Sequence, residues 1–408
     1  MKSFSKFPPL FGSCWVLKGL VCSLILLPTL AHAQSFSEIV SLVLQNNSAL
    51  KAAKYEVEAQ KELGQVGLTL ADPQVEAAYL FGSPRQDVNN RVDLSVTQEF
   101  DFATLSGNKR RVSEAEAVLL DRSLDETSRQ LKQQTVLLLT DITYYNKVLA
   151  ELNRRKALED SLLNVYKKRL DKGDVTILDY NKAKLSAAQI TGQITKTKAE
   201  REAKLVQLQG LARSSSIFYN DTVYAVSSII LPEQYEQWAA SNIQNAPSLR
   251  IEDQKIAVSK AQAELAKSET LPSFSVGYTS ELVKGSNYRG MAVGVQVPLW
   301  ANRNKIKAAQ KALQAAEERK ADTEVQLQNQ YRQLFFQAKT QLKVAEEFKN
   351  TLLSTDNSAI LTRALKGGQM TLTEYLLEQK YYYENYDQWL SAERDAMMAI
   401  AELSQIGL

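Results

Sequence analysis

The chain has 408 residues, 44% of them hydrophobic, with 49 Lys and Arg against 46 Asp and Glu, one histidine and two cysteines. Such a balance gives no reason to expect a nucleic-acid partner. Cys14, Cys22 and His32 all fall within the first 33 residues, so the rest of the chain has no thiol, imidazole or soft metal ligand, which disfavours most enzyme chemistry and any cofactor or metal site.

Residues 1–33 run from Lys2, Lys6 and Lys18 through the apolar stretch Leu20 to Leu27 to Ala31-His32-Ala33. That order reads as a cleaved secretory signal. The apolar run is shorter than the roughly 20 residues of a spanning helix, and no cysteine stands at the cleavage point for lipidation. Beyond it no stretch approaches 18 consecutive apolar residues, so an exported chain of this kind is periplasmic, secreted, or a β-barrel in an outer membrane.

The remainder is written twice. In the first copy, residues 34–213, a helical stretch opening at Asn47-Ser48-Ala49-Leu50 stops before Pro73, where the period changes from helical to two. Strands are expected near 73–83 and 91–102, joined by a polar linker from Gly82 to Asn90. No Gly or Pro occurs from Asn108 to Lys172, so a long helix is expected over 108–172, and a shorter helix returns after Gly173. Residues 214–246, with Pro232 and Trp238, lie outside the repeat. The second copy, 247–408, opens at Pro247-Ser248-Leu249 and stops at Pro272. Strands near 272–283 and 289–300 flank a linker from Lys284 to Tyr288, and a second long helix is expected over 302–366.

Within the first long helix Leu124, Leu131, Leu138, Tyr145 and Leu152 recur every seven residues; in the second Tyr331, Ala338, Ala345 and Leu352 do so. This spacing puts each set on one seam and predicts long antiparallel coiled coils, with an ordinary helical bundle as the alternative. The four strands alternate apolar and polar residues over about ten positions, the length of a tilted membrane strand. Phe100, Phe102 and Trp300 at their ends suit an interfacial girdle. Four strands cannot close a barrel, since the smallest outer-membrane barrels have about eight, so closure calls for several copies.

The duplicated unit and its paired turns, Lys172-Gly173-Asp174-Val175-Thr176-Ile177-Leu178-Asp179-Tyr180 and Lys366-Gly367-Gly368-Gln369-Met370-Thr371-Leu372-Thr373-Glu374-Tyr375, resemble a TolC-type outer-membrane channel over about residues 37–408. The resemblance implies a mostly α fold with a membrane β-barrel. A homotrimer gives four strands per protomer to one twelve-stranded barrel, and the long helices form a periplasmic α-barrel. Residues 214–246 form an equatorial belt. It implies an outer-membrane exit duct, not an enzyme, coupled through a periplasmic adaptor to an inner-membrane pump. Similarity leans toward a pump of the resistance-nodulation-division type; drugs, metal ions and polypeptides all remain open as cargo. A type I secretion channel and a periplasmic coiled-coil adaptor or scaffold are the alternatives.

At the turns, Gly permits the left-handed conformation that ends a helix, while Thr176 and Thr371 can cap the returning helices with Asp179 and Glu374 in their first turns. The resemblance adds Arg169, Gly173, Asp179, Arg363, Gly367 and Gly368 as expected adaptor contacts and Glu374 as a gate residue. Leu377 stands where some relatives carry a second acid, so a double carboxylate ring is not expected.

Overall fold

A computed structural model describes residues 35–83, 89–228, 231, 233–300 and 302–404; the expected signal segment lies outside them. Helix α1 (Phe36–Asn46) starts in a capping box between Ser35 and Glu38, and α2 (Ser48–Gln65) starts at Asn47, whose side chain accepts the Leu50 N–H at 2.9 Å. Strands β1 (Gln74–Leu80) and β2 (Arg91–Phe100) precede α3 (Ala103–Asp171), 69 residues of unbroken helix, or roughly 100 Å at 1.5 Å per residue. α4 (Ile177–Ala212) runs back beside it. α5 (Tyr235–Asn242) and two 3-10 turns occupy the intervening segment. α6 (Pro247–Ser268), with proline where its missing N–H costs nothing, leads to β3 (Ser273–Val283) and β4 (Ser286–Gln296).

The second descent differs from expectation. It consists of α7 (Arg303–Ser354) and α8 (Ser358–Lys366), separated at Thr355, Asp356 and Asn357, and α9 (Leu372–Ser404) then returns. Neither Gly nor Pro causes the break. The sequence there is Ser-Thr-Asp-Asn-Ser, and these short polar side chains compete with the helix for its own backbone groups. Ser354 and Thr355 hydroxyls donate to the Thr351 carbonyl at 2.9 and 2.7 Å, and the Asp356 carboxylate accepts the Ser358 N–H at 3.1 Å. The seam loses phase as a result: Tyr331, Ala338, Ala345 and Leu352 are buried, but Ala359, next in the series, is exposed, and Leu365 is buried instead.

The four strands form one antiparallel sheet in the order β1-β2-β3-β4, so β2 and β3 join the two copies. The second hairpin is tighter than expected, with Lys284-Gly285 alone as its loop and Gly285 at φ 86°, and Ser286 to Tyr288 are already paired. Register aligns Val75, Val96, Tyr278 and Met291 in a row across all four strands. That apolar face is exposed; the polar residues Arg91, Asp93, Ser95 and Thr97 on the opposite face of β2 are the more shielded.

Strands and helices share one lateral order. Near the sheet, α2 packs on α3, α3 on α6 and α6 on α7; farther away the order is α4, α3, α9, α7. The described residues therefore form a wall four elements wide, with β1, α2 and α4 along one margin and β4 and α7 along the other. Its main core lies at mid-height, where α1 (Ile39, Val43), α3 (Leu139, Ile142), α7 (Phe335) and α9 (Ile400) surround Ile217 and Tyr219 of the intervening segment. Arg201 and Asn146 pin that segment through the Tyr219 carbonyl, at 2.9 and 3.3 Å. Among the described residues no helix is long and apolar enough to cross a membrane.

Candidate functional site

Both long hairpins end in the same local architecture. At the first, Gly173 has φ 77°; its N–H donates to Leu170 and that of Asp174 to Arg169, at 2.9 and 2.8 Å. At the second, Gly368 has φ 69°, and the N–H groups of Gly368 and Gln369 donate to Leu365 and Ala364, at 3.3 and 2.9 Å. Each pair satisfies carbonyls that a helix end leaves open, with glycine at the one position where a Cβ would be strained. Gly367, at φ −79°, is still right-handed and only ends α8.

The returning helices also start alike. The Thr176 hydroxyl accepts the Asp179 N–H at 3.2 Å and donates to the Asp179 carboxylate at 2.7 Å. Thr371 and Glu374 repeat this at 3.3 and 2.9 Å, and the Thr371 N–H reaches Glu374 Oε2 at 2.7 Å. Both acids therefore occupy the third helical position, close to unpaired N–H groups and the positive end of the helix dipole. Hydrogen bonds from Thr176 and Thr371 hold both carboxyls below the usual carboxylate range, with Lys182 and Arg169 adding to the effect at Asp179. Glu374 is exposed, as are Gly173, Arg363, Gly367 and Gly368; Asp179 and Arg169 are half-buried, and the Arg169 guanidinium lies 5.6 Å from the Tyr166 ring centre.

One small core brings the two turns together: Tyr166, Ala183, Leu365, Leu372 and Tyr375, with Val175 and Met370 packed against it. Lys182 of α4 donates to Thr373 of α9 at 2.8 Å. At the far end of α3, Phe102 packs near Phe274 with ring centres 6.3 Å apart, beside Phe100, where the sheet meets the helices, and Trp300 is 85% exposed.

The sequence reading missed a charged layer about three to six helical turns above the tip. Arg155 of α3, 1% exposed, donates to Glu151 on its own helix and to Asp387 on α9, both at 2.8 Å, and its guanidinium lies 4.2 Å from the Tyr383 ring centre. Burial pushes the Tyr383 hydroxyl up to about 12, so the ring stays neutral. One turn lower, Glu159 is buried as well. The signal for it was present: the sevenfold series ending at Leu152 continues through Glu159 to the buried Tyr166.

No protein-family model and no curated protein sequence matches the chain. Solved structures do. The outer membrane protein VceC from Vibrio cholerae is similar at TM-score 0.71 and 12% identity, over 91% of this chain and 96% of that one. The open-state MtrE outer membrane channel of Neisseria gonorrhoeae gives 0.72 at 12% identity, covering 91% and 88%. CusC, described for its transmembrane channel formation, gives 0.69 at 16% identity, covering 91% and 92%.

Proposed function

From a chain that carries the fold of outer-membrane channels, we propose an outer-membrane exit duct for efflux, a passive conduit and not an enzyme. The observation that carries this reading is the sheet: apolar side chains cover its exposed face while charged and hydroxyl side chains take the shielded one. That arrangement suits a barrel with lipid outside and water within. The sheet's margins, β1 and β4, run in opposite directions, so β4 of one copy can pair antiparallel with β1 of the next. Three copies then make twelve strands, and the helical walls below continue as a tube into the periplasm.

The paired turns are the end of that tube farthest from the membrane. There Arg169, Gly173, Asp179, Arg363, Gly367 and Gly368 offer a surface to a periplasmic adaptor, and through it to an inner-membrane pump of the resistance-nodulation-division type. Glu374, exposed and ionised, lines the entrance, where three copies bring three carboxylates together and favour cations. Membrane fractionation, heat-modifiable migration and planar-bilayer conductance test the duct. A mature chain that is soluble and monomeric without detergent would sink it, and the gate assignment fails if Glu374→Ala leaves conductance and cation selectivity unchanged.

A further inference from the structure

Above the tip, α3, α4 and α9 line a half-open cavity of about 540 Å³. Glu159 lines it from α3 and Gln379 from α9; both are more than nine-tenths buried. Glu159 Oε2 and Gln379 Oε1 are sealed from solvent and have no hydrogen-bond partner. The Gln379 amide nitrogen is directed to the Tyr375 hydroxyl at 2.6 Å. Both residues line the same cavity, Glu159 from α3 and Gln379 from α9, and Tyr375 and Tyr383, one turn to either side of Gln379, both lie within reach of the Glu159 charge. Two buried acceptor atoms, Glu159 Oε2 and Gln379 Oε1, thus line one cavity with no partner among the described residues, and a buried polar group left in that state is costly.

We propose that Glu159 holds a proton and donates it to Gln379 Oε1, forming a carboxyl–amide clamp between the two hairpins that opens when the proton leaves to solvent. The clamp does not depend on the channel reading. Burial pushes the Glu159 carboxyl up, with the Asp160 charge adding to it and a hydrogen bond from Ser186 of α4 opposing it. The other charged groups cannot easily take the proton's place. Arg155 is committed to Glu151 and Asp387. Lys182 of α4 and Lys380 of α9 stand exposed at the cavity rim, the first bonded to Thr373 and the second 3.7 Å from Glu384. On this proposal, α4 and α9 shift apart as either ammonium draws in toward an ionised Glu159.

The sign follows from an acid whose folded value is raised. The neutral form is favoured in the packed state, so the clamp is complete at low pH and is lost as pH rises through that raised value. Glu374 acts oppositely, since its value is lowered and its cap weakens in acid.

Infrared titration of the full-length protein in detergent tests the proposal. A protonated-carboxyl band should outlast the ionisation of exposed carboxylates and be reduced in Glu159→Gln; any remainder belongs to the half-buried Glu402, whose carboxyl is also pushed up by partial burial. Spin labels at Lys184 and Gln388, exposed on α4 and α9, should give a distance distribution that broadens as pH rises in the parent and stays narrow in Glu159→Gln. An unchanged band in Glu159→Gln, or equal broadening in both proteins, overturns the clamp. If Glu159→Gln does not fold, Glu159→Asp must move the midpoint of the persistent band, and an unmoved midpoint overturns it equally.

Discussion

Arg155 reaches from α3 to the Asp387 carboxylate of α9 at 2.8 Å, and this ion pair joins the two hairpins through the flat face of Tyr383. The pair is lopsided. The Arg155 side chain is almost wholly buried while that of Asp387 is about half exposed, so the two ends answer differently to removal. Arg155→Ala leaves the buried Glu151 carboxylate with only the partly exposed Arg154, and should cost about 3 kcal/mol, the scale of a broken buried pair. Asp387→Asn keeps a hydrogen-bond acceptor beside Arg155 and should cost less than half as much. Thermal midpoints of the two variants in detergent check the order.

The two left-handed glycines should behave alike. A Cβ at Gly173 or Gly368 would meet nothing within 4 Å, so the penalty is one of backbone conformation alone, about 1 kcal/mol for Ala. Asn tolerates this conformation better and should recover part of the loss. Ala and Asn variants at each turn, compared by urea unfolding, separate this from any effect on adaptor binding.

Capping links the tips to acidity. Thr176→Ala removes the hydroxyl from one capping box and should cost about 1 kcal/mol, whereas Thr176→Ser should cost little. Asp179 and Glu374 have lowered values, so their contribution is present above the ordinary carboxylate value and is lost as pH falls through the depressed one. Amide exchange in the first turns of α4 and α9 should therefore rise in acid beyond the intrinsic rate, and Asp179→Asn with Glu374→Gln should flatten that response.

Mending the break between α7 and α8 should harm the protein. Replacing Thr355, Asp356 and Asn357 with Ala raises helix propensity. A continuous helix, however, would turn Ala359 into the seam and draw Leu365 out of the tip core it shares with Leu372 and Tyr375. The triple variant should gain helical circular dichroism and lose stability; a gain in both would show that the break is dispensable.

The sequence revealed what depends on period. The sevenfold series, the alternation of the strands and the doubled turns translate directly into α3, the single sheet and the matched caps. It hid what depends on competition between local hydrogen bonds. A block without Gly or Pro still breaks where five short polar residues follow one another, from Ser354 to Ser358. It also hid pairs that only tertiary packing makes, such as Arg155 with Asp387, 232 positions apart. A charge at a seam position was visible at Glu159, but its partner across the cavity could not be read along the chain.

The two margins of the wall are chemically unlike, β1 and α4 on one side, β4 and α7 on the other. Two copies related by a two-fold axis would have to match each margin with itself, whereas head-to-tail contact uses one margin of each copy and leaves another of each kind free. Growth by that contact has no built-in terminus. In the proposed closed assembly the number of subunits is decided by how far each joint turns, and a substitution that flattens the curve without weakening the joint would yield an open ribbon in place of a ring.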